Sequence, residues 1–305
     1  MVERVAVRVP ATTANLGPGF DALGLSLSLY NRLEVTRLSS SGTSRLEIVT
    51  RGEGAERLPA DATNMVYRAF CRVFERLGAP APAVRMVGDI QVPLSRGLGS
   101  SAAAVVGGLV AANELAGRPL SRVELLQLGT VMEGHPDNVA PALFGGFTAA
   151  CLTEEGVAWA RLEPPAGLRA VLVIPEREVA TAQARAVLPD VVPRRDAVLN
   201  VGRTALLVAA FATGELALLR SAMRDCLHEP YRAALIPGMP EALEAAREAG
   251  ALGAALSGAG STLLALATER FEAIGAAMRA ALTARGLESR VLILSPDTAG
   301  ATVEG

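Results

Sequence analysis

The chain has 305 residues, of which 50% are apolar and 20% are charged, a composition typical of a globular protein rather than a disordered one. Its 29 basic residues nearly balance 31 acidic ones, so the net charge of −2 gives no reason to expect nucleic acid or an anionic membrane as a partner. All the basic residues are arginine, which excludes sites that depend on lysine, such as a P-loop, a Schiff base or a protein-kinase phosphate site.

Cysteine and histidine are too few and too scattered for a structural metal site. The three cysteines are Cys71, Cys151 and Cys226, without a CxxC pattern, and the two histidines are His135 and His228. Neither a zinc site nor a disulfide framework is expected. The N-terminus alternates charged and apolar residues like a strand and unlike a signal peptide, so we expect a soluble, cytoplasmic protein.

The first part of the chain is predicted to combine strands with three helices, of which the middle one is rich in small residues and follows the glycine turn at 97–99. Alternating apolar and polar residues predict strands over 3–9, 24–36, 45–50 and 83–90. A loop is predicted over 10–21, and the third strand is predicted to pair with the second. Thr63 is predicted to cap a helix that ends near Gly78, and a capping box at Ser121 begins a helix that runs to about Glu133.

The second part of the chain continues with mixed strands and helices. Strands are predicted over 145–152, 157–162, 168–174, 252–257, 262–267 and 289–294, and helices over 177–188, 196–213, 215–226, 239–249 and 270–285. Pro164-Pro165 is the predicted domain boundary, which gives domains 1–164 and 165–305. Because the elements do not alternate regularly, the pattern favours an α+β fold. The uncharged stretch 249–268 is interrupted by glycines and predicts two buried strands rather than a membrane span.

Three glycine-containing loops are candidate anion sites, namely 11–21, 97–102 and 257–262. In the second loop, Gly97 and Gly99 lead a strand into a helix that begins with Ser100 and Ser101. Backbone N–H groups and the positive end of a helix dipole would meet there, although tight helix packing explains such loops equally well. A dinucleotide site is excluded, because it requires a second strand and an acid after the helix, and another helix follows instead.

The same loops carry a resemblance to a known family. Segment 93–103, PLSRGLGSSAA, is similar to the phosphate loop of the GHMP kinase superfamily, and loops 11–21 and 257–262 resemble its other two motifs in the same order. Within that superfamily, the segments VPATTANLGPGFDALGLSL and EGHPDNVAPALFGGF resemble signature segments of the homoserine kinases. Segments 181–189 and 228–232 do so as well, and together the matches span nearly the whole chain.

The resemblance implies a fold and an activity. The fold would be the α+β, two-domain GHMP kinase fold, with a left-handed βαβ-type nucleotide site in the N-terminal domain and a ferredoxin-like α/β sandwich in the C-terminal domain. The activity would be ATP-dependent phosphorylation of the L-homoserine hydroxyl, a step of threonine biosynthesis, and a homodimer is suggested. Ser261 departs from the third motif, which usually has proline there. Without proline, the turn gains conformational entropy worth ~0.5–1 kcal/mol, and we expect activity to be retained.

The resemblance also implies a nucleotide and magnesium site. Its ATP-binding positions are Asn64, Pro93, Leu94, Ser95, Arg96, Gly97, Leu98, Gly99, Ser100, Ser101, Ala102 and Ala103. Without lysine, the phosphate charge must be neutralised by a metal, arginines and backbone N–H groups. Ser100, Ser101 and Glu133 offer the hard oxygen ligands that Mg²⁺ prefers, although Glu133 by itself would also fit a solvated acid at a helix end. Asn64 by itself would equally fit a helix cap.

The acceptor site implied by the resemblance contains Asn15, Asp21, His135, Asn138, Arg185 and Arg232. Arginine binds carboxylates in a fork, so Arg185 and Arg232 are candidates for the substrate carboxylate, and Asp21 suits an ammonium or hydroxyl group. The predicted catalytic residues are Asp21, Glu133 and Asn138. Because an asparagine takes no proton, either Asp21 accepts the hydroxyl proton or the γ-phosphate does.

The residues taken singly allow other interpretations. Asn15 and Asp21 would fit a capped turn, His135 a structural histidine, and the two arginines ordinary surface positions. One alternative function is therefore another GHMP kinase with a different small alcohol as substrate. A second is a catalytically silent protein of the same fold that acts as a regulatory module.

Overall fold

The structure, a computed structural model, describes residues 2–39 and 45–304, which form two β-sheets with helices packed against them. The strands are β1 (Arg4–Asn15), β2 (Gly19–Arg37), β3 (Leu46–Gly52), β4 (Val84–Ile90), β5 (Phe147–Thr153), β6 (Gly156–Leu162), β7 (Arg169–Pro175), β8 (Gly253–Leu256), β9 (Leu263–Ala267), β10 (Ser289–Leu294) and β11 (Thr302–Glu304). The helices are α1 (Met65–Arg76), α2 (Ser100–Leu115), α3 (Arg122–Glu133), α4 (Val139–Phe144), α5 (Thr181–Ala186), α6 (Arg194–Thr213), α7 (Leu219–Ala222), α8 (Glu229–Arg232), α9 (Met239–Glu248) and α10 (Phe271–Thr283). The predicted mixed α+β content is confirmed.

The first sheet has seven strands, in the order β11-β1-β2-β4-β3, and β5 and β6 extend it from β2. The prediction that 45–50 pairs with 24–36 is wrong, because β4 lies between β3 and β2. β3 and β4 are parallel, and α1 lies in the crossover that a parallel pair requires. Short β11 was not predicted; it returns the end of the chain to this sheet, beside β1.

Helix α2 lies at the centre of the first core. It is apolar on all sides, and most of its residues are buried, as expected for a helix that is covered all round. A Cβ atom added to Gly108 would lie 2.3 Å from the carbonyl oxygen of Val66 at the start of α1. Small residues in this helix thus permit the close contact of α1 and α2.

The second sheet has four antiparallel strands in the order β10-β7-β9-β8. Val171 and Val173 face a core that includes α9 and α10, whereas Leu172 and Ile174 face a core that includes α6, α7 and residues of β2. Both faces of β7 are therefore covered, which explains why its sequence is almost entirely apolar. The uncharged stretch 249–268 forms β8 and β9 as predicted.

Three local predictions are wrong. Strand β1 continues to Asn15 instead of ending before residue 10, because a register shift between Pro10 and Ala11 accommodates the proline. The predicted helix 215–226 is reduced to a 3₁₀ turn and the four residues of α7. Three residues after α7, the Asp225 carboxylate accepts hydrogen bonds from three backbone N–H groups and turns the chain toward α8.

The third wrong prediction concerns the start of α1. Asn64, not Thr63, caps this helix: its Oδ1 atom accepts a hydrogen bond of 2.9 Å from the backbone of Val66. The hydroxyl of Thr63 donates to Asp61 instead. Asparagine and threonine are both good capping residues, so their order in the sequence did not distinguish them.

Helix α6 has one packed face and one open face. In length and composition it is apolar enough to cross a membrane, a test that core helices of soluble proteins also pass. Its residues Leu207 and Phe211 pack in the core, whereas Val198, Val201 and Leu206 are exposed on the outer side.

Candidate active site

The loop before α2 has a backbone that only glycine accommodates. Gly97 and Gly99 have φ angles of +74° and +67°. A Cβ atom on Gly97 would lie 2.1 Å from the carbonyl oxygen of Ser257, and one on Gly99 would lie 1.9 Å from the hydroxyl of Thr12. The loop can therefore enter a crowded junction, and the free N–H groups at the start of α2 become available to an anion.

The three glycine loops identified in the sequence meet at this junction. The Ser257 hydroxyl lies 2.6 Å from the carbonyl oxygen of Gly97 and 2.8 Å from the hydroxyl of Thr13. The backbone N–H of Gly258 donates to the carbonyl oxygen of Ala14 over 3.0 Å. Direct hydrogen bonds thus hold together three segments that are distant in sequence.

A cavity of about 350 Å³ opens beside the junction. Of the predicted site residues, it is lined by Asn15, Asp21, Ser95, Arg96, Gly97, Gly99, Ser100, Ser101, Ala102, Glu133, His135, Asn138, Arg185 and Arg232. The predicted acceptor residues, the magnesium residues and most of the phosphate loop therefore share one cavity.

Asp21 and Arg185 form a two-point ion pair on one wall of this cavity. The carboxylate oxygens of Asp21 accept hydrogen bonds of 2.8 and 2.9 Å from the two Nη atoms of Arg185. The pKa of Arg185 is raised, chiefly by this hydrogen bond. The side chain of Asn15 accepts from the backbone N–H of Asp21 and donates to the carbonyl oxygen of Gly258, which braces the turn that presents Asp21.

Arg232 contributes a second cation at the same end of the cavity. Its Nε atom donates to the carbonyl oxygen of Ala184 and its Nη1 atom to that of Gly258, each over 3.0 Å. Burial, followed by the charge of Arg185, lowers the pKa of Arg232 to about 10, so the side chain remains charged at neutral pH. The ring of Phe20 lies under both guanidinium groups, at 5.6 Å from Arg185 and 5.3 Å from Arg232.

Glu133 and Ser101 form the candidate metal ligands. Glu133 ends α3 and accepts a hydrogen bond of 2.6 Å from the hydroxyl of Ser101 in the first turn of α2. Burial raises the pKa of the Glu133 carboxyl. Within residues 2–39 and 45–304 no arginine forms an ion pair with it, so the carboxylate oxygens remain available to a cation.

His135, Asp137 and Asn138 form a hydrogen-bonded part of the wall of the same cavity. Asn138 accepts a bond of 2.8 Å from the Thr12 hydroxyl and donates to Asp137 over 3.2 Å. The Nδ1 atom of His135 bonds the same carboxylate. Burial disfavours the charged imidazole, but the hydrogen bond to Asp137 and the negative charges of Asp137 and Asp21 together outweigh it and raise the pKa of His135. Asp137 was not among the predicted site residues, although it lies within a resembling segment.

A second cavity of about 440 Å³ adjoins the first and is largely apolar. Of the predicted ATP-binding residues, it is lined by Asn64, Leu94, Ser95, Ser100, Ser101 and Ala103. The side chain of Asn64 is occupied by its cap and by a hydrogen bond to the carbonyl oxygen of Pro59. The buried residues Pro93 and Leu98 line neither cavity.

The side chain of Arg96 is directed toward the segment after β7. Its Nη2 atom donates to the carbonyl oxygen of Glu176 over 2.8 Å, and its Nη1 atom lies 3.1 Å from the carboxylate of Glu178. Arg57 pairs with the same carboxylate. Arg96 therefore ties the loop before α2 to the connection that leads into α5.

Two family models match the chain. Residues 64–146 match the model described as the N terminal domain of GHMP kinases, and residues 207–284 match the model described as their C terminal domain. A homoserine kinase of Moorella thermoacetica is 48% identical over 297 residues, which cover 97% of this chain and 99% of the relative. A homoserine kinase of Deinococcus radiodurans is 48% identical over 300 residues, 98% of this chain and 96% of the relative.

Solved structures agree in fold. A crystal structure of homoserine kinase from Cytophaga hutchinsonii superposes with a TM-score of 0.90 at 33% identity, and the match covers 100% of this chain and 98% of that one. A mevalonate kinase of L. major, in complex with R-mevalonate, superposes with a TM-score of 0.71 at 19% identity over 97% of this chain and 96% of that one. At that identity the second likeness concerns the fold alone.

Proposed function

This chain belongs to the GHMP kinases, in the homoserine kinase branch, and on that premise we propose that it transfers the γ-phosphoryl group of ATP to the side-chain hydroxyl of L-homoserine. It is an ATP-dependent small-molecule kinase. The product would be O-phospho-L-homoserine, an intermediate of threonine biosynthesis.

The observation that carries the choice of substrate is the pair of opposite charges beside the phosphate loop. Asp21 offers a carboxylate to an ammonium group, and Arg185 and Arg232 offer guanidinium groups to a carboxylate, all within one cavity. An α-amino acid carries both of these charges. It can take up the bonds that Asp21 and Arg185 make to each other, so neither side chain is left unpaired.

The residues around Glu133 fit Mg²⁺. The Glu133 carboxylate is half-buried and bonds the hydroxyl of Ser101, and no arginine in the described part of the chain pairs with it. A cation would stabilise its charge, and Mg²⁺ prefers such oxygen ligands. Ser100, Ser101 and Glu133 would hold the ion. When bound, it neutralises charge on the phosphates during transfer.

The other residues of the site orient the acceptor. We assign Asn15, His135 and Asn138 to hold the turn and the hydroxyl in position, since Asn138 bonds Thr12 and Asp137 and takes no proton. The proton passes to Asp21 or to the γ-phosphate. The adenosine end of ATP would occupy the second, apolar cavity, with Asn64 in its wall and residues 93–103 along the phosphates.

A substrate panel tests the proposal. ADP release is measured with Mg²⁺–ATP and L-homoserine, L-threonine, L-serine, mevalonate or galactose. We expect strong preference for L-homoserine, because the other amino acids place the hydroxyl at a different distance from the charged groups and the last two lack the ammonium group. Turnover with galactose alone would retain the kinase but overturn the acceptor site. Silence with every alcohol would favour a regulatory module.

The proposal includes a homodimer formed through the outer face of α6. Val198 and Val201 are 65% and 70% exposed there, which is unfavourable for apolar side chains in water. The helix begins with Arg194 and Arg195, and the exposed Glu215 follows its other end. A second copy packed antiparallel would bring these opposite charges together.

We expect the chain to sediment as a dimer and the Val201→Glu variant to sediment as a monomer, because the added charge would be buried unpaired at the interface. Leu152→Glu is the matched control, since Leu152 is exposed on β5. A wild-type monomer, or equal dissociation by both variants, would contradict the assignment.

The remaining proposals concern organisation and location. We assign residues 1–164 to the nucleotide-binding domain and 165–305 to the second domain, with β11 returning to the sheet of the first. We place the protein in the cytoplasm without nucleic-acid or membrane partners, consistent with its near-neutral charge.

A further inference from the structure

His228 is a fully buried histidine that links two parts of the acceptor site. Its Nε2 atom lies 2.7 Å from the carbonyl oxygen of Gly17, in the turn that presents Asp21. Its Nδ1 atom lies 3.2 Å from the Nη1 atom of Arg232. Its ring stacks on Phe20, with the ring centres 5.3 Å apart.

These two partners permit only one protonation state of the ring. A carbonyl oxygen can only accept a hydrogen bond, so Nε2 must carry the proton that it donates to Gly17. A guanidinium can only donate, so Nδ1 must be the unprotonated acceptor for Arg232. Asp225 is 3.7 Å from Nε2, but its oxygens already accept several backbone N–H groups. Burial, with the charge of Arg232, lowers the pKa of His228 and maintains the neutral ring.

The bond to His228 determines which edge of Arg232 faces the cavity. Nε is occupied by Ala184, and the two hydrogens of Nη1 are directed to His228 and Gly258. Nη2 is the remaining nitrogen, and Arg232 lines the cavity. The neutral imidazole thus orients one donor edge toward the place where a carboxylate would bind, while its other nitrogen holds the turn before Asp21.

We propose that His228, as the neutral Nε2–H tautomer, is a positioning residue that sets the separation between the carboxylate-binding Arg232 and the ammonium-binding Asp21. The proposal rests on the proposed function for the identity of the amino acid. It assigns His228 no contact with substrate and no proton transfer. Its effect belongs to binding of the amino acid, not of ATP, because its partners border the acceptor end of the cavity.

Kinetics of variants in the full chain test this role. His228→Leu removes both hydrogen bonds at similar volume and is expected to raise KM for L-homoserine about 10-fold, with KM for ATP within about twofold of wild type. His228→Gln retains one donor and one acceptor and is expected to restore KM for L-homoserine to within about threefold. A fall in kcat of about 10-fold, a rise of the same size in KM for ATP, or a failure of glutamine to restore KM for L-homoserine would overturn the proposal.

Glu229→Gln is the matched control. Glu229 is the next residue and is also buried; its carboxylate accepts a hydrogen bond from the backbone N–H of Leu256, and it lines neither cavity. We expect its KM for L-homoserine to remain within about twofold of wild type, since an amide oxygen also accepts that bond. A rise equal to that of His228→Leu would assign the effect to general disturbance of this segment.

A second measurement needs no substrate. The chain has two histidines, so nitrogen-15 NMR of the imidazoles gives two sets of signals, and His228→Gln identifies the set of His228. We expect an unprotonated Nδ1 and a protonated Nε2 at neutral pH. A proton on Nδ1 would overturn the proposal. Because this result is independent of turnover, failure of the substrate panel and failure of the positioning role are distinguishable.

Discussion

Replacing Glu133 with glutamine is expected to lower kcat by about 100- to 1,000-fold while the chain remains folded. The amide can still accept the hydrogen bond from Ser101, so the end of α3 keeps its local structure. It cannot supply the negative charge that a magnesium ion requires. The measurement is ADP release at saturating ATP and L-homoserine, together with thermal unfolding of both proteins.

Glu248→Gln is the matched control for this experiment. Glu248 also ends a helix, α9, and it is exposed and lines neither cavity. It should therefore retain wild-type turnover. If Glu133→Gln also retained wild-type turnover, Glu133 would not be a magnesium ligand, and the oxygen ligands would have to be sought elsewhere in the cavity.

Replacing Arg185 with glutamine is expected to raise KM for L-homoserine by roughly 10- to 100-fold and to leave KM for ATP nearly unchanged, because a charge-assisted bond to a carboxylate contributes ~1.5–3 kcal/mol. The loss should appear in binding rather than in stability. The side chains of Arg185 and Asp21 are 39% and 34% exposed, and ion pairs open to water contribute about 0–1 kcal/mol to folding.

Arg177→Gln provides the comparison for Arg185. Arg177 lies in the connection between β7 and α5, the helix that carries Arg185; it is exposed and lines neither cavity. Initial rates are measured for both variants with each substrate varied in turn. An equal rise in KM for both variants would indicate a general charge effect, and an unchanged KM in Arg185→Gln would remove this residue from the carboxylate site.

Local sequence was sufficient wherever one segment carries its own signal. The turn before α2 was predicted from its glycines. Its backbone angles and its approach to Ser257 and Thr12 exclude a side chain, so the turn requires glycine and is visible in the sequence. The capping box of α3 was predicted because Ser121 and Glu124 bond each other within one turn. Most of the site residues that were named from the resembling segments line the first cavity.

Pairing between distant segments was beyond the reach of these patterns. Alternation predicted the strand β3 but not its partner, because the same alternating pattern is compatible with pairing to β2 or to β4. The sequence did not distinguish Asn64 from Thr63 as the cap of α1. In the structure the Thr63 hydroxyl donates to Asp61, and Asn64 caps the helix. Strand β11 has three residues and becomes a strand only through its partner β1.

What the sequence by itself determined is the glycine loop before α2, the small-residue helix α2 and the acidic end of α3, since each depends on rules that act over a few residues. What only the tertiary structure decided is how the charged groups of the first cavity meet one another. Arg185 meets Asp21 across 164 residues of chain, and His228 meets Gly17 across 211. Such contacts exist because two sheets bury their apolar faces against each other, and that packing, not any local pattern, brings the charged groups to one cavity.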